Sequence, residues 1–295
     1  MDGIINVYKE KGYTSHDVVA KLRGILRQKK IGHTGTLDPD AQGVLPVCLG
    51  KATKVCEFLT EEKKTYRTVL RLGVVTDTQD HTGKILAENP VTVSEEEICR
   101  AAHSFLGEQM QIPPMYSALK VNGRRLYELA REGIEIERRP RKVYFYEIQV
   151  QKIDLPLVTM EITCSKGTYI RTLCHDMGEQ LGCGGCMEEL TRTKVGEFAM
   201  EKSLTLAQIE ELAAQQRMQE ILLPVEEVFS DLPRVCCVPE LDKRLYNGNP
   251  VKVRELEEKM GQSPFRLCDS KGNFIGIYQQ KEGKNSYFPV KMFYP

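Results

Sequence analysis

The segment Gly32–Pro46 reads GHTGTLDPDAQGVLP and concentrates glycine, threonine, aspartate and proline. Glycine permits backbone conformations that other residues resist, and it lets a ligand approach the main chain closely. We therefore predict that residues 31–46 form a loop at a binding site. Taken alone, Asp38 followed by Pro39 favours another interpretation, a helix start with the aspartate as N-cap and the proline at the first helical position. No Gly-Lys-Ser/Thr sequence follows, which excludes a phosphate loop of the nucleotide-hydrolase type.

Regular secondary structure is predicted on both sides of this segment. Before it, residues 3–8 (GIINVY) have a strand pattern, and Thr14 is a helix N-cap ahead of the amphipathic run VVAKLRGILRQ at 18–28. After it, alternating and capping patterns predict strands over 65–75, 143–150 and 157–164 and helices over 94–106, 168–181 and 203–212. This mixture predicts an α+β fold.

The chain of 295 residues is long enough for two domains. From about residue 233, short strand-like runs alternate with turn signals such as Asn247–Pro250, which predicts a small all-β module. We therefore expect one domain over residues 1–232 and a second over 233–295. Residues 112–142 contain three prolines and several basic residues. A long segment of this composition between regular elements is typical of a mobile, functional loop.

The charge is balanced overall but uneven along the chain. There are 41 basic and 41 acidic residues, yet residues 1–54 carry nine Lys/Arg against five Asp/Glu. Local positive patches on a neutral protein fit a polyanionic partner, although a solvated helix face gives the same pattern. No apolar run approaches the ~18 residues of a membrane span, and the N-terminus lacks the pattern of a secretory signal. We expect a cytoplasmic protein without a membrane partner.

Ten cysteines without a signal peptide are typical of a reducing compartment. Only Cys183 and Cys186 have the spacing of metal ligands, and a four-sulfur zinc site needs a second such pair. A glycine-rich turn that carries two thiols is the favoured interpretation, and no metal site is predicted.

Two further segments carry residues that suit chemistry on a nucleic acid. In CSKGTYIRTL (164–173), Arg171 is suited to hold a carboxylate ionised through a charge-assisted pair, although a surface arginine at a strand end is the simpler interpretation. Tyr66 lies among basic residues in KKTYR (63–67), which suits stacking of a base, whereas its spacing alone favours a core position.

Together these segments resemble the TruB family of bacterial tRNA pseudouridine-55 synthases over nearly the whole chain. The blocks that carry the resemblance are GHTGTLDPDAQGVLPVCLGKATK (32–54), KTYR (64–67), RLGVVTDTQDHTG (71–83), IPPMYSALKVNGRRLYELAREG (112–133) and CSKGTYIRTL (164–173). One departure is Lys9-Glu10-Lys11-Gly12, where the family usually has Lys-Pro-x-Gly. The resemblance implies a mixed, mainly antiparallel sheet flanked by helices around a central cleft. It also implies a thumb at about 112–142 and, more weakly, a small C-terminal β-rich PUA-like domain.

The resemblance also implies an activity and a set of site residues. The family isomerises a uridine of the tRNA T loop without cofactor or metal, and its essential aspartate and the paired arginine fall on Asp38 and Arg171. The resemblance implies that Tyr66 stacks on the base and that Tyr169 lies beside it as a candidate for C5 proton removal. It implies that His33 supports the flipped-out RNA and that Lys54 supports the site. Leu190 falls on a residue that lines the pocket.

General physical chemistry agrees with these roles. A base inside a folded loop must be extruded before it can react, at a cost of a few kcal/mol, and aromatic stacking returns about 1–3 kcal/mol. Whether Asp38 acts as nucleophile or as base and electrostatic stabiliser is open at this point. A non-catalytic tRNA-binding or tRNA-folding protein is the alternative, since it would share the basic helix and the thumb. We expect a monomer that binds the T arm and needs no protein partner.

Overall fold

A computed structural model describes residues 1–256 and 258–293 of the chain. The α-helices of the described residues are α1 Ser15–Ile25, α2 Cys56–Glu61, α3 Glu95–Ser104, α4 Leu126–Arg131, α5 Ile170–Gln180, α6 Leu206–Ala214 and α7 Pro239–Tyr246. Three of them begin with a reciprocal capping box, formed by Thr14 with Asp17, Ser94 with Glu97, and Thr205 with Gln208. In this part of the chain, no helix is long and apolar enough to cross a membrane.

The strands of the same residues range from two residues in β8 to fourteen in β10. In chain order they are β1 Gly3–Lys9, β2 Ile31–His33, β3 Gln42–Leu49, β4 Lys64–Leu72, β5 Val74–Thr76, β6 Ile85–Glu88, β7 Gly107–Gln111, β8 Lys120–Val121, β9 Arg124–Arg125, β10 Arg141–Asp154, β11 Leu157–Cys164, β12 Gly185–Val195, β13 Phe198–Ala199, β14 Arg234–Cys236, β15 Val251–Lys252, β16 Phe265–Cys268, β17 Phe274–Gln280 and β18 Ser286–Met292.

The main sheet has the strand order β1-β3-β12-β4-β11-β10-β7, with β2 added at β3 and β13 at β12. All pairs are antiparallel except β12 with β3, which is parallel. β4 alternates buried and more exposed positions, which directs Lys64, Tyr66 and Thr68 to the same face of the sheet. β12 pairs with β4 so that Arg192 lies opposite Tyr66 and Leu190 opposite Thr68. This register places all of these side chains together.

Two apolar clusters cover the main sheet. One includes α3 and α5 and packs Leu173 and Met177 against strand residues such as Leu70 and Phe145. The other joins α1 and α6 to β1 and β3. The strands predicted over 143–150 and 157–164 are confirmed as the antiparallel pair β10–β11, and the helices predicted over 94–106 and 168–181 are confirmed as α3 and α5.

The prediction of a loop over the whole of residues 31–46 is wrong. The segment contains β2 and the first half of β3, and only residues 34–41 lack regular structure. The run VLPVCL is buried, and it pairs with β1 along its length and with β2 over its last three residues, which makes a strand more favourable than a loop. The helix start suggested by Asp38 and Pro39 is also absent from this described segment, because a tight turn leads directly into β3.

The C-terminal part forms a five-stranded sheet of order β14-β16-β17-β18-β15. The expectation of an all-β module is wrong in one respect, because α7 packs Leu241 and Leu245 into the core of this sheet. Pro239 occupies the first turn of α7, where a missing backbone donor costs nothing. An apolar cluster with Ile277 and Phe293 joins this sheet to β1 and β3.

Residues 112–142 contain the hairpin β8–β9 and the short helix α4 rather than a structureless loop. Arg171 binds the backbone carbonyl of Tyr116 at 2.8 Å, so the beginning of this segment is tied to α5. Residues 116–120 line the same cavity as the 34–39 turn. The segment therefore forms one wall of a cleft.

Candidate active site

A cleft of about 1200 Å³ lies against the main sheet. Its walls are the turn after β2, the loop between β5 and β6, the beginning of the 112–142 segment and the loop that leads into α5. The side chains of Tyr66, Leu190 and Arg192 contribute from β4 and β12. Loops supplied by separate parts of the chain and held by a rigid sheet are a typical setting for catalytic residues.

Asp38 and Arg171 form a two-point ion pair in this cleft. Arg171 Nε lies 3.0 Å from Asp38 Oδ2, and Arg171 Nη2 donates to Asp38 Oδ1 at 3.3 Å. The arginine side chain is 4% exposed, whereas that of Asp38 is 38% exposed. A buried guanidinium thus fixes the orientation of a carboxylate that still faces the open cleft. The predicted pairing of Asp38 with Arg171 is present in the structure.

The turn that carries Asp38 is held by neighbouring elements. Ser15 Oγ, in the first turn of α1, accepts a hydrogen bond from the Leu37 backbone at 2.9 Å. Lys9 Nζ donates to the Pro39 carbonyl at 3.1 Å and to the Tyr13 carbonyl at 2.5 Å. Lys9 is completely buried, and burial lowers its pKa to about 8. The charge of the neighbouring Asp38 acts in the opposite direction on this pKa.

Arg171 has a second carboxylate partner that the sequence analysis missed. Its Nη1 lies 3.3 Å from Asp80 Oδ2 and donates to the Thr78 carbonyl at 3.1 Å. Asp80 is in turn held by the hydroxyls of Thr78 at 2.8 Å and Thr82 at 2.5 Å. The sequence did contain a signal for this network. Several threonine and aspartate residues occur close together in residues 71–83, and such a cluster is typical of a turn held by side-chain hydrogen bonds.

The electrostatic environment of Asp38 contains opposing effects. Desolvation within the cleft raises the pKa of Asp38, the Arg171 guanidinium lowers it, and the negative charge of Asp80 raises it again. The net direction is upward, because burial is the largest effect. Asp38 is thus less acidic than an ordinary aspartate while its partner keeps it aimed into the cleft.

Tyr66 and Leu190 form an apolar surface in the same cleft. Each is 8% exposed, and both belong to one hydrophobic cluster that also contains Leu37. Burial raises the pKa of the Tyr66 phenol, and a contact with the Arg192 guanidinium opposes this effect. The hydroxyl is therefore un-ionised at neutral pH. The structure places Tyr66 and Leu190 at the cleft as the sequence analysis expected.

Tyr169 also lines the cleft, at the residue before α5. Its backbone is held by the side-chain amide of Gln111, which accepts from the Tyr169 N–H at 2.8 Å and donates to the Tyr169 carbonyl at 3.0 Å. Burial raises the pKa of Tyr169, and contact with Ser117 opposes this. Because Arg171 follows two residues later, the same clamp fixes the start of its helix.

Neither His33 nor Lys54 is among the residues that line the cleft. The His33 ring packs edge-on against His16, a residue of the cleft wall, with the ring centroids 5.4 Å apart. Burial lowers the pKa of His33 to about 4, so the ring is neutral at pH 7. Lys54 is not among the residues that line the cleft, because it points from the turn after β3 to the carbonyl of Met292 at 3.1 Å. The structure thus does not bring Lys54 to the site.

Comparison with known families identifies the chain. Residues 23–170 match the family model described as "TruB family pseudouridylate synthase (N terminal domain)", and residues 171–230 match the "tRNA pseudouridylate synthase B C-terminal domain". The chain belongs to the TruB family. Neither of these two TruB matches extends beyond residue 230.

Curated TruB relatives cover almost the whole chain. A protein of Lachnoclostridium phytofermentans named tRNA pseudouridine synthase B is 51% identical, over 99% of this chain and 100% of that protein. A protein of Clostridium tetani with the same name is 47% identical, over 96% of this chain and 97% of that protein.

Solved structures agree on the fold. A chain of a Cbf5-Nop10-Gar1 complex is 28% identical with a TM-score of 0.75, over 99% of this chain and 85% of that chain. A chain of an H/ACA ribonucleoprotein bound to a substrate RNA containing 2′-deoxyuridine is 26% identical with a TM-score of 0.74, with the same coverage. The architecture is the pseudouridine synthase fold, α+β with a mixed, mainly antiparallel sheet, as the TruB resemblance implied.

Proposed function

We propose that this protein is a tRNA pseudouridine synthase that isomerises uridine 55 in the T loop of tRNA. The observation that carries the proposal is the Asp38–Arg171 pair, with distances of 3.0 and 3.3 Å, in a cleft bordered by the Tyr66 ring. A tRNA-binding protein without chemistry needs no partly exposed carboxylate held in place by a buried guanidinium. This favours the enzyme over the non-catalytic alternative.

The reaction breaks the N1–C1′ bond, rotates the uracil and joins C5 to C1′. Asp38 is the catalytic residue of this scheme, acting on the ribose or the base from the cleft wall. Its pair with Arg171 supports either role, nucleophile or base and electrostatic stabiliser, because both need an oriented carboxylate. The net change is an isomerisation, so no oxidant, reductant or group donor enters the balance, and we propose no cofactor or metal.

The other site residues act on an extruded nucleotide. The Tyr66 ring stacks against the base, Leu190 packs at its edge, and Tyr169, which lines the same cleft, is the candidate for removal of the C5 proton. His33 and its neighbour His16 support the RNA around the gap that the base leaves. Lys54 contributes only indirectly, through its contact with the last described strand.

The proposed organisation assigns catalysis to residues 1–232 and RNA binding to a PUA-like domain over 233–295, with residues 112–142 as a thumb over the T arm. The basic residues of this thumb contact phosphates and thereby make binding dependent on salt. We propose a monomer that works in the cytoplasm and needs no further protein.

The test is to map pseudouridine in an unmodified tRNA transcript after incubation with the purified protein and no additives. We expect one modified position in the T loop. The Asp38→Asn variant, which keeps the shape of the side chain, should lose the modification while it still binds the transcript. A fully active Asn variant would refute the role of Asp38, and a wild-type protein that binds without modification would favour the non-catalytic alternative.

A further inference from the structure

Arg192 is a buried cation without an acidic partner. It is 1% exposed, and its Nε and Nη2 donate to the backbone carbonyls of Val44 at 2.7 Å and Gly35 at 3.3 Å. Among residues 1–256 and 258–293, no carboxylate oxygen lies within 4.0 Å of its guanidinium. An uncompensated buried charge is costly, and such groups are concentrated at functional sites.

Lys64 adds a second cation beside it. Lys64 is 5% exposed, and its Nζ donates to the carbonyls of Thr60 at 2.5 Å and Glu62 at 2.6 Å. Burial, followed by the charge of Arg192, lowers the pKa of Lys64 to about 8, so it is largely charged at pH 7. Both cations line the cleft, and the register of β4 and β12 places both on the face that carries Tyr66.

The carboxylates of the same cleft already have other cations beside them. Arg171 pairs with both Asp38 and Asp80, and the charge of the buried Lys9 also acts on Asp38. Arg192 and Lys64 therefore supply positive charge that these two carboxylates do not offset. Both cations lie on the face of the sheet that carries Tyr66.

We propose that Arg192, together with Lys64, stabilises the negative charge that develops on the uracil when the N1–C1′ bond breaks. The electron pair of this bond leaves with N1, so the uracil carries one negative charge, spread over O2 and O4, until C5 bonds to C1′. The C5 proton is then lost and N1 gains a proton, which balances the isomerisation. The inference rests on the proposed function and adds a further residue to the same site.

Arg192 is a positioning residue in this scheme, because it acts through the Tyr66 ring and not by touching the base. Arg192 lies opposite Tyr66 in the pairing of β12 with β4, and its charge acts on the Tyr66 phenol, so it supports the ring on which the uracil stacks. A fixed charge in a partly dry site needs no reorganisation when the bond breaks, which is the property that lowers the barrier. Gly35 and Val44 hold the guanidinium in place.

A purely structural role for Arg192 makes a different prediction. It would tie β12 to β3 and to the turn before Asp38, and its loss would slow every substrate equally. If Arg192 acts through its charge, the loss of rate on its removal depends on how well the base itself carries negative charge. A tRNA transcript with 4-thiouridine at the target position separates the two, because the thio base is a more stable anion and retains the C5 proton.

The experiment compares single-turnover rates of the wild type, Arg192→Gln and Arg192→Lys on uridine and 4-thiouridine transcripts. We expect Arg192→Gln to slow the uridine transcript by about 100-fold, as does loss of an electrostatic stabiliser elsewhere. The loss on the thio transcript should be at least ~10-fold smaller. Arg192→Lys, which keeps the charge, should recover part of the rate, and the Kd for the transcript should change little.

Arg67→Gln is the matched control, since it removes the same charge from the exposed face of β4. If Arg192→Gln fails to fold, Lys64→Gln is measured on the same two transcripts with the same expected difference. Equal losses on both transcripts would overturn the inference while leaving the proposed function intact. An inactive wild type would instead overturn the proposed function.

Discussion

Gln111 and Tyr169 are joined by two hydrogen bonds between a side-chain amide and a peptide backbone, at 2.8 and 3.0 Å. Gln111 ends β7 and is 5% exposed, and Tyr169 immediately precedes α5. The pair thus connects the edge of the main sheet to the first turn of the helix that carries Arg171. We therefore expect the orientation of the Arg171 side chain toward Asp38 to depend on this connection.

Replacement of Gln111 by Ala should lower both stability and activity. Two partly buried backbone groups lose their partner, and we expect a loss of about 2 kcal/mol in the free energy of unfolding. The rate of pseudouridine formation should fall more than transcript binding, because Arg171 loses its fixed position. Gln109→Ala is the control, since Gln109 makes one exposed contact with Ser104. Urea unfolding and single-turnover assays measure the two effects, and equal behaviour of both variants would contradict the role.

Replacement of Arg171 by Lys should nearly abolish activity. Lysine presents one compact ammonium and cannot bind Asp38 and Asp80 together, whereas the guanidinium contacts both. Displacement of Asp38 by ~1 Å is enough for a loss of about 100-fold in rate. Activity within threefold of the wild type would show that positive charge alone suffices and that the two-point geometry is unimportant.

The pH dependence of the reaction should reflect the raised pKa of Asp38. If the ionised carboxylate is the active form, activity is lost as the pH falls through this pKa, which lies above the ordinary 3.8. The acid limb of the pH–rate profile should therefore lie at a higher pH than for a free aspartate. In Asp80→Asn the limb should move to lower pH, because the Asp80 charge raises the pKa of Asp38. A limb that moves the other way would contradict this coupling.

Replacement of Lys9 by Met should destabilise the protein. The ammonium donates to the carbonyls of Tyr13, Pro39 and Glu10, and methionine leaves these acceptors without it. We expect a loss of about 1–3 kcal/mol in the free energy of unfolding, together with reduced activity because Pro39 follows Asp38. Lys11→Met, at an exposed position, should behave as the wild type in thermal unfolding. A neutral Lys9→Met would show that the buried ammonium is dispensable.

The sequence predicted the main secondary structure because its signals were local. Thr14 and Ser94 cap helices within three residues of themselves, and the alternation in β4 is visible without any partner strand. The strand conformation of residues 42–46 depended instead on pairing with β1 and β12, which come from other parts of the chain. Helix α7 was missed because its eight residues lie among strand-like runs.

The site residues that could be predicted were those that lie in motifs shared with the TruB family. Asp38, Tyr66, Tyr169, Arg171 and Leu190 all line one cleft, although their functional roles stay predictions. Asp80, Gln111 and Arg192 were not singled out, since their importance comes from partners 91, 58 and 148 positions away in the chain. Such contacts exist only after the sheet has formed. Lys54 lies in a motif shared with the TruB family, but its side chain binds the carbonyl of Met292 and does not line the cleft.

β12 lies between β3 and β4 and presents Leu190 and Arg192 on the same face. Side chains alternate along a strand, so inserting or deleting one residue ahead of Leu190 would exchange the two faces of everything that follows. The apolar edge of the cleft and its buried cation would then turn away from Tyr66 at the same time. This strand should therefore accept hardly any change of length during evolution or engineering.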